Sequence, residues 1–306
     1  MLSKLTFRRV QSKDISLLLK LFKTVFKKKI SEEFYNWRYY NKNYSSFVAL
    51  YKNNIIAHIG FVEYKFNLKS NYIFSRHSTF VIPEFQKKGV YYKLLKYSFS
   101  KIKIKSNYVI AWPNLKNLES SKRHNNFKVI NTYNLFYKIN FVNKKNFIFT
   151  KVSENYLKKL KFTQKNHLFF RDPKFIIWRY KTYLKDNFYF LDDENLKNFI
   201  FQKKYFNKKI YYLIIDFYGD HSKYEYEIKL VLKYLLKNKI NFQLFVSKTN
   251  RKLDFFLKKE KIKKNNNKFY VGLYTIGKTC NLQKSIVRKI KNEVKIVDTD
   301  VFIKTF

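Results

Sequence analysis

Residues 7–10, "FRRV", read as a strand with apolar ends. From Ser12 the segment "SKDISLLLKLFKTVF" shifts to the three-and-four spacing of an amphipathic helix, with Asp14 near its start. Residues 47–51 and 55–65 are apolar or alternating on either side of "KNN", a turn composition that predicts a β-hairpin. A strand at 72–82 ends at Pro83, a helix follows at 90–101, and a short strand at 108–111 is cut by Pro113. The order is β, α, β-hairpin, β, α, β, α, with residues 127–137 supplying later strands. The prediction is an α/β chain, mixed α+β, built on a mixed sheet.

The second half repeats that alternation. Strand-like "NFYFLDD" precedes a strand at 211–217, a helix at 224–237, a strand at 242–246, a helix at 253–259 and a strand at 268–274. One short signature recurs as well: "FYNWRY" from Phe34 and "FIIWRY" from Phe175 share Phe, Trp, Arg and Tyr at the same spacing, in a chain with only three tryptophans. With 306 residues the chain is long enough for two domains, and we divide it at 1–150 and 151–306.

Composition changes the weight of individual residues. Lysine, asparagine, isoleucine, phenylalanine and tyrosine crowd the chain, the profile of AT-rich coding, so each Gly, Pro, Arg or Trp is informative. The net charge of +44 would ordinarily suggest a polyanionic partner. Here the lysines are scattered along the whole length, and the aromatic residues follow core periodicities instead of interleaving with bases on one face. Binding to nucleic acid is therefore not expected, although a non-catalytic basic nucleic-acid-binding protein is kept as an alternative. The lone Cys280 allows no internal disulfide, no apolar run reaches membrane-span length, no leader is evident and no metal is expected. The reading is a cytoplasmic protein.

One of three prolines and one of five glycines fall six residues apart in "VIPEFQKKGVYYKLLK". A strand that stops at Pro83, followed by a loop and a helix that starts at Gly89, aims several N–H groups and a helix dipole at one point. Such a loop cradles an anion. Gly89 lets backbone approach the ligand, and Gln86, Lys87 and Lys88 add donors and charge.

This pattern, V-x-P-x-x-Q-x-x-G between strand and helix, resembles the pyrophosphate loop of the GNAT superfamily of acyl-CoA-dependent N-acyltransferases. Tyr91 stands where that loop usually has Gly or Ala, a variant similar to GNAT proteins of surface-polysaccharide gene clusters. "YVIAWPN" from Tyr108, "HNNFKVI" from His124 and "FYNWRYYNK" from Phe34 extend the resemblance over residues 7–137. It implies acetyl-CoA as co-substrate. The contacts would come from backbone of Phe80, Val81 and Ile82, the loop Gln86 to Gly89, Val90 and Tyr91 at the helix start, and Asn114 after the next strand. Trp37, Arg38 and Tyr39 have two readings: the ordinary and favoured one is a helix whose Trp and Tyr fill the core while Arg pairs with a carboxylate, and the other places them at the rim of the acceptor cleft.

The implied chemistry is attack by a neutral amine on a thioester, which needs a base and donors for the developing oxyanion. Glu63 and His77 are the candidate bases. For the proton returned to sulfur, the position implied by the family falls on Lys122, which is unsuited; His124, Tyr133 or solvent remain. In the second half "YGDHSKYEYE" places acids where phosphates would sit, so that half resembles a degenerate GNAT domain without cofactor. The implied acceptor is a small-molecule amine, with a nucleotide-linked amino sugar of surface-polysaccharide synthesis as the particular expectation. The alternative within enzymes is a FemABX-like aminoacyl transferase using charged tRNA.

Overall fold

The computed structural model describes residues 4–27, 29–39, 44–65, 72–103, 108–124, 126–140, 149–159, 177, 188–193, 196–206 and 209–276. Contacts part these into two units built from interleaved segments. The first comprises Met1–Trp112, His124–Lys128 and Leu273–Gln283; the second comprises Pro113–Arg123, Val129–Gly272 and Lys284–Phe306. A cut at 150/151 is therefore not the line along which contacts divide. The first unit takes its last strand residues from near the far end of the chain.

In the first unit β1 (Leu5–Arg9) leads through a 3-10 turn into α1 (Ile15–Phe26) and α2 (Glu32–Tyr39). The Asp14 carboxylate accepts the Gln11 N–H at 2.8 Å and pairs with Arg8 at 2.5 Å, fixing the entry to α1. The predicted hairpin follows as β2 (Tyr44–Tyr51) and β3 (Asn54–Lys65), turning at Lys52 and Asn53, both with positive φ. Next come β4 (Tyr72–Val81), α3 (Val90–Ile102) and β5 (Tyr108–Ala111). The strand order is β1-β2-β3-β4-β5, and after β5 come the final residues, 273–275, of a long C-terminal strand, 263–275.

Helix α3 is held on the sheet by Val90, Leu94, Leu95, Phe99 and Ile102, all buried, which pack with Phe61, Phe74, Val109 and Tyr274. Each such side chain contributes about 1.5–3 kcal/mol on burial, which is enough to fix the direction in which the helix points its N-terminus. On the opposite face α1 and α2 cover β3 and β4. Phe22 of α1 meets Phe80 at 5.3 Å and His58 at 5.6 Å, ring to ring.

The second unit begins with α4 (Leu115–Lys122) and β6 (Phe127–Lys138), whose residues from 129 on belong to it. It continues through β7 (Phe149–Lys151), α5 (Glu154–Lys159), β8 (Phe188–Leu191), β9 (Phe199–Phe206), β10 (Lys209–Phe217), α6 (Tyr224–Lys237), β11 (Phe242–Ser247), α7 (Arg251–Lys259) and β12 (Lys263–Thr275). Its order is β12-β6-β11-β10-β9-β8-β7. The repeat expected from the sequence is visible in its centre. Like β4, β10 pairs antiparallel with the strand before it through a register irregularity and parallel with the strand after it over only three residues. The second Trp-Arg-Tyr cluster, Trp178 to Tyr180, lies outside the described residues, as does Cys280.

Candidate active site

The central feature of the first unit is where β4 leaves its neighbour. β4 and β5 pair in parallel only at Phe74↔Val109, Ser75↔Ile110 and Arg76↔Ala111, whereas β4 runs on to Val81 alongside β3. The Ile82 N–H donates to Ile56 O at 2.9 Å, on the β3 side. Because backbone groups of successive strand residues alternate in direction, those of Val81 face the edge that β5 has left.

The loop after β4 is shaped by its backbone. Pro83–Phe85 form a single 3-10 turn, Lys87 has φ of 60°, and Gly89 caps α3 with φ of 74° and ψ of 3°. A Cβ built on Gly89 would meet nothing within 4 Å, so a ligand has room to reach the first N–H groups of α3. Gln86 differs from its expected role. Its side-chain amide donates to Val81 O at 2.9 Å and ties the loop to the strand end, while Lys87 and Lys88 stay exposed. The Lys88 ammonium lies 5.5 Å from the Phe85 ring centroid. The loop therefore offers backbone amides and lysine charge to an anion.

β4 also carries a bulge. Between the pairs His58↔Phe80 and Gly60↔His77, Ser78 and Thr79 oppose Ile59 alone, with Ser78 at φ of 43°. The Ser78 carbonyl turns onto His58 Nδ1 at 2.9 Å. The extra residue puts His77, Phe80 and His58 on one face, the one covered by α1 and α2. Paired residues share a face, so Phe61↔Arg76 and Glu63↔Phe74 lie on the other, beneath α3. The two candidate bases are thus on opposite faces of the sheet. His77, 3% exposed, adjoins the point where β5 departs; Glu63 lies further back, opposite the ladder pair Phe74↔Val109.

Other expected residues divide similarly. Trp37 is 5% exposed with its ring 5.5 Å from Phe34, a core position and not a cleft rim. Arg38 and Tyr39 lie in the last turn of α2, and their side chains fall outside the described residues. Asn114 caps α4, accepting the Asn117 N–H at 2.9 Å, and belongs to the second unit, as does Tyr133. His124 stacks on Tyr92 at 5.0 Å; burial, then the charge of Arg76, lowers its pKa from the ordinary value, which favours the neutral ring. Among the described residues no group of three or more His, Cys, Asp or Glu is placed to hold a metal ion, and no helix is long and apolar enough to cross a membrane.

Two groups escaped the sequence reading. One is His58, fully buried, its pKa pushed down to about 4 by burial against the opposing bond to Ser78. The other is Arg76 with Tyr91 and Tyr274. Its only available signal was an arginine in a lysine-rich chain, because nothing local brings residue 274 to a strand ending at 81.

The His58 shift carries a stability consequence. As pH falls below about 6.5 the unfolded chain takes up a proton that the folded chain refuses until about 4, so stability declines across that window and levels below it. At about 1.4 kcal/mol per pH unit the loss is a few kcal/mol. Denaturant midpoints at pH 7 and pH 5 should show it, and His58→Gln should flatten the difference. An equal slope in the variant would mean that another group titrates.

In the loop of the second unit the same fold position is closed by its own side chains. A Cβ at Gly219 would lie 2.5 Å from the Phe217 ring and 2.9 Å from the Asn198 amide. Buried Asp216 accepts the Phe217 N–H and the Tyr218 hydroxyl at 2.9 and 2.7 Å. That carboxylate also raises the Tyr224 pKa, to about 12, although burial is the larger cause.

Residues 6–116 match the family model described as the acetyltransferase (GNAT) domain. The chain superposes on a GCN5-related N-acetyltransferase from Anabaena variabilis with a TM-score of 0.64 at 11% identity, covering 89% of this chain and 73% of that one. A GCN5-related N-acetyltransferase from Kribbella flavida gives 0.56 at 8%, covering 89% and 72%. A tandem GNAT protein from the clavulanic acid biosynthesis pathway also gives 0.56 at 8%, covering 90% and 100%. No curated protein is detectably similar in sequence. At these identities the superpositions establish the fold, that of a tandem GNAT protein, and residues 6–116 carry the match to the acetyltransferase (GNAT) domain.

Proposed function

We propose that the protein is an acyl-CoA-dependent N-acetyltransferase in which the first unit binds acetyl-CoA and passes the acetyl group to a small-molecule amine. The observation that carries this is the parting of β4 from β5 after Arg76, with the open Gly89 cap at the other end of the same gap. A linear ligand with a diphosphate at one end fits that arrangement. Its phosphates would meet the loop amides, Lys87 and Lys88, and its amide arm would pair with the Val81 N–H, the Val81 carbonyl already accepting from Gln86. When bound, acetyl-CoA supplies the activated thioester. The chain's part is to orient it and to take a proton from the amine.

His77 is the better placed base, since it adjoins the opening of the gap and Glu63 does not. The second unit is read as a copy that holds no acyl-CoA, supported by the packed Gly219 loop and the buried Asp216. We further read the acceptor as an amino sugar, nucleotide-linked as the resemblance to GNAT proteins of surface-polysaccharide gene clusters implies. The test is acetyl transfer from acetyl-CoA to a panel of amino sugars, free and nucleotide-linked. Release of CoA with any of these amines, dependent on an intact loop, supports the reading; failure to bind acetyl-CoA overturns it.

A further inference from the structure

Arg76 is 9% exposed, on the α3 side of β4, at the last residue paired with β5. Its Nη1 donates to the Tyr274 hydroxyl at 2.9 Å and to the Tyr91 hydroxyl, and the two phenol oxygens are 3.4 Å apart. The guanidinium carbon lies 5.4 Å from the Tyr274 ring centroid and 5.7 Å from that of Tyr91. Among the described residues no Asp or Glu forms an ion pair with it. A guanidinium taken from water without a counter-ion carries a desolvation cost that two neutral phenols offset only in part.

Geometry adds direction. Both described hydrogen bonds use Nη1, which leaves the edge formed by Nε and Nη2, the fork that matches a carboxylate with two parallel bonds. Arg76 lies five residues back along β4 from Val81, about 15 Å at the usual rise per strand residue. A ligand anchored at the loop and lying along β4 therefore brings its reacting end, not its phosphates, to Arg76.

We propose that Arg76 binds a carboxylate carried beside the transferred acyl carbon, with Tyr91 and Tyr274 fixing the fork. The carboxylate belongs either to the far end of a dicarboxylic acyl group, in place of acetyl, or to an amino-acid acceptor. This inference rests on the acyl-CoA part of the reading above and replaces either its acetyl group or its amino-sugar acceptor.

The test separates the sources. In the donor arm, calorimetry compares CoA, acetyl-CoA and succinyl-CoA; in the acceptor arm, steady-state KM with acetyl-CoA compares glutamate with its α-amide. The wild type is expected to favour the carboxylate-bearing ligand at least tenfold in one arm. Arg76→Gln should remove that preference while CoA affinity stays within about twofold, and Arg76→Lys, which keeps the charge and loses the fork, should retain only part of it. Absence of a preference in both arms, or its survival in Arg76→Gln, overturns the proposal. If Arg76→Gln does not fold, Arg76→Lys and Tyr274→Phe decide, and an undiminished preference in both counts against it. Failure of the wild type to bind CoA would instead overturn the acyl-CoA reading, and this inference with it.

Discussion

Gly89→Glu is expected to bind acetyl-CoA at least ~100-fold more weakly than wild type while remaining folded. Gly89 has φ of 74°, where a side chain costs about 1–2 kcal/mol, and its surroundings are open, so the variant has strain but no clash. The larger effect is electrostatic. A carboxylate at the mouth of the loop stands where the phosphates would stand, and like charges about 4 Å apart repel by about 4 kcal/mol in a partly screened site. Gly89→Asn, which tolerates the left-handed conformation, should lose much less. Calorimetric titration of both variants, beside thermal melts that verify folding, decides it. Normal affinity in a folded Gly89→Glu protein would remove the loop from the binding site.

His77→Gln is expected to lower turnover by ~10²–10⁴, the usual contribution of a positioned base, with acetyl-CoA affinity little changed. Glu63→Gln should stay within a few-fold of wild type. The contrast rests on register alone. The bulge at Ser78 and Thr79 puts His77 on the α1 and α2 face where the gap opens, and Glu63 faces α3 opposite Phe74. Steady-state kinetics at saturating acetyl-CoA would reveal the difference, and a large loss for Glu63→Gln with none for His77→Gln would show that the reaction takes place on the other face.

Much of the first unit was readable because its signals are local. The hairpin turn at Lys52 and Asn53, the helix at 90–102 and the glycine cap announce themselves within a few residues of chain. The bulge was not readable: a single left-handed Ser78 reverses the facing of every residue beyond it, and serine gives no hint of that conformation. The donors of Gln86 suit an anion, which is all that the sequence reports, whereas in the fold its side-chain amide donates to the Val81 carbonyl. For Trp37 the ordinary habit of a helical Trp favours a core place over a cleft rim, and its burial against Phe34 agrees. The interleaving of the units was hidden most completely. Tyr274 sits 198 positions beyond its partner Arg76, and no periodicity reports a contact of that separation.

In the proposed function the loop between β4 and α3 forms one acyl-CoA site per chain. Its most direct measurement is the stoichiometry of acetyl-CoA on the full chain, read by calorimetry for wild type, Lys88→Glu and Asp220→Lys. One site per chain is expected, weakened by Lys88→Glu, which brings negative charge to the phosphates, and unaltered by Asp220→Lys in the loop of the second unit. Two equivalent sites, or a site that responds to Asp220→Lys and ignores Lys88→Glu, would contradict it.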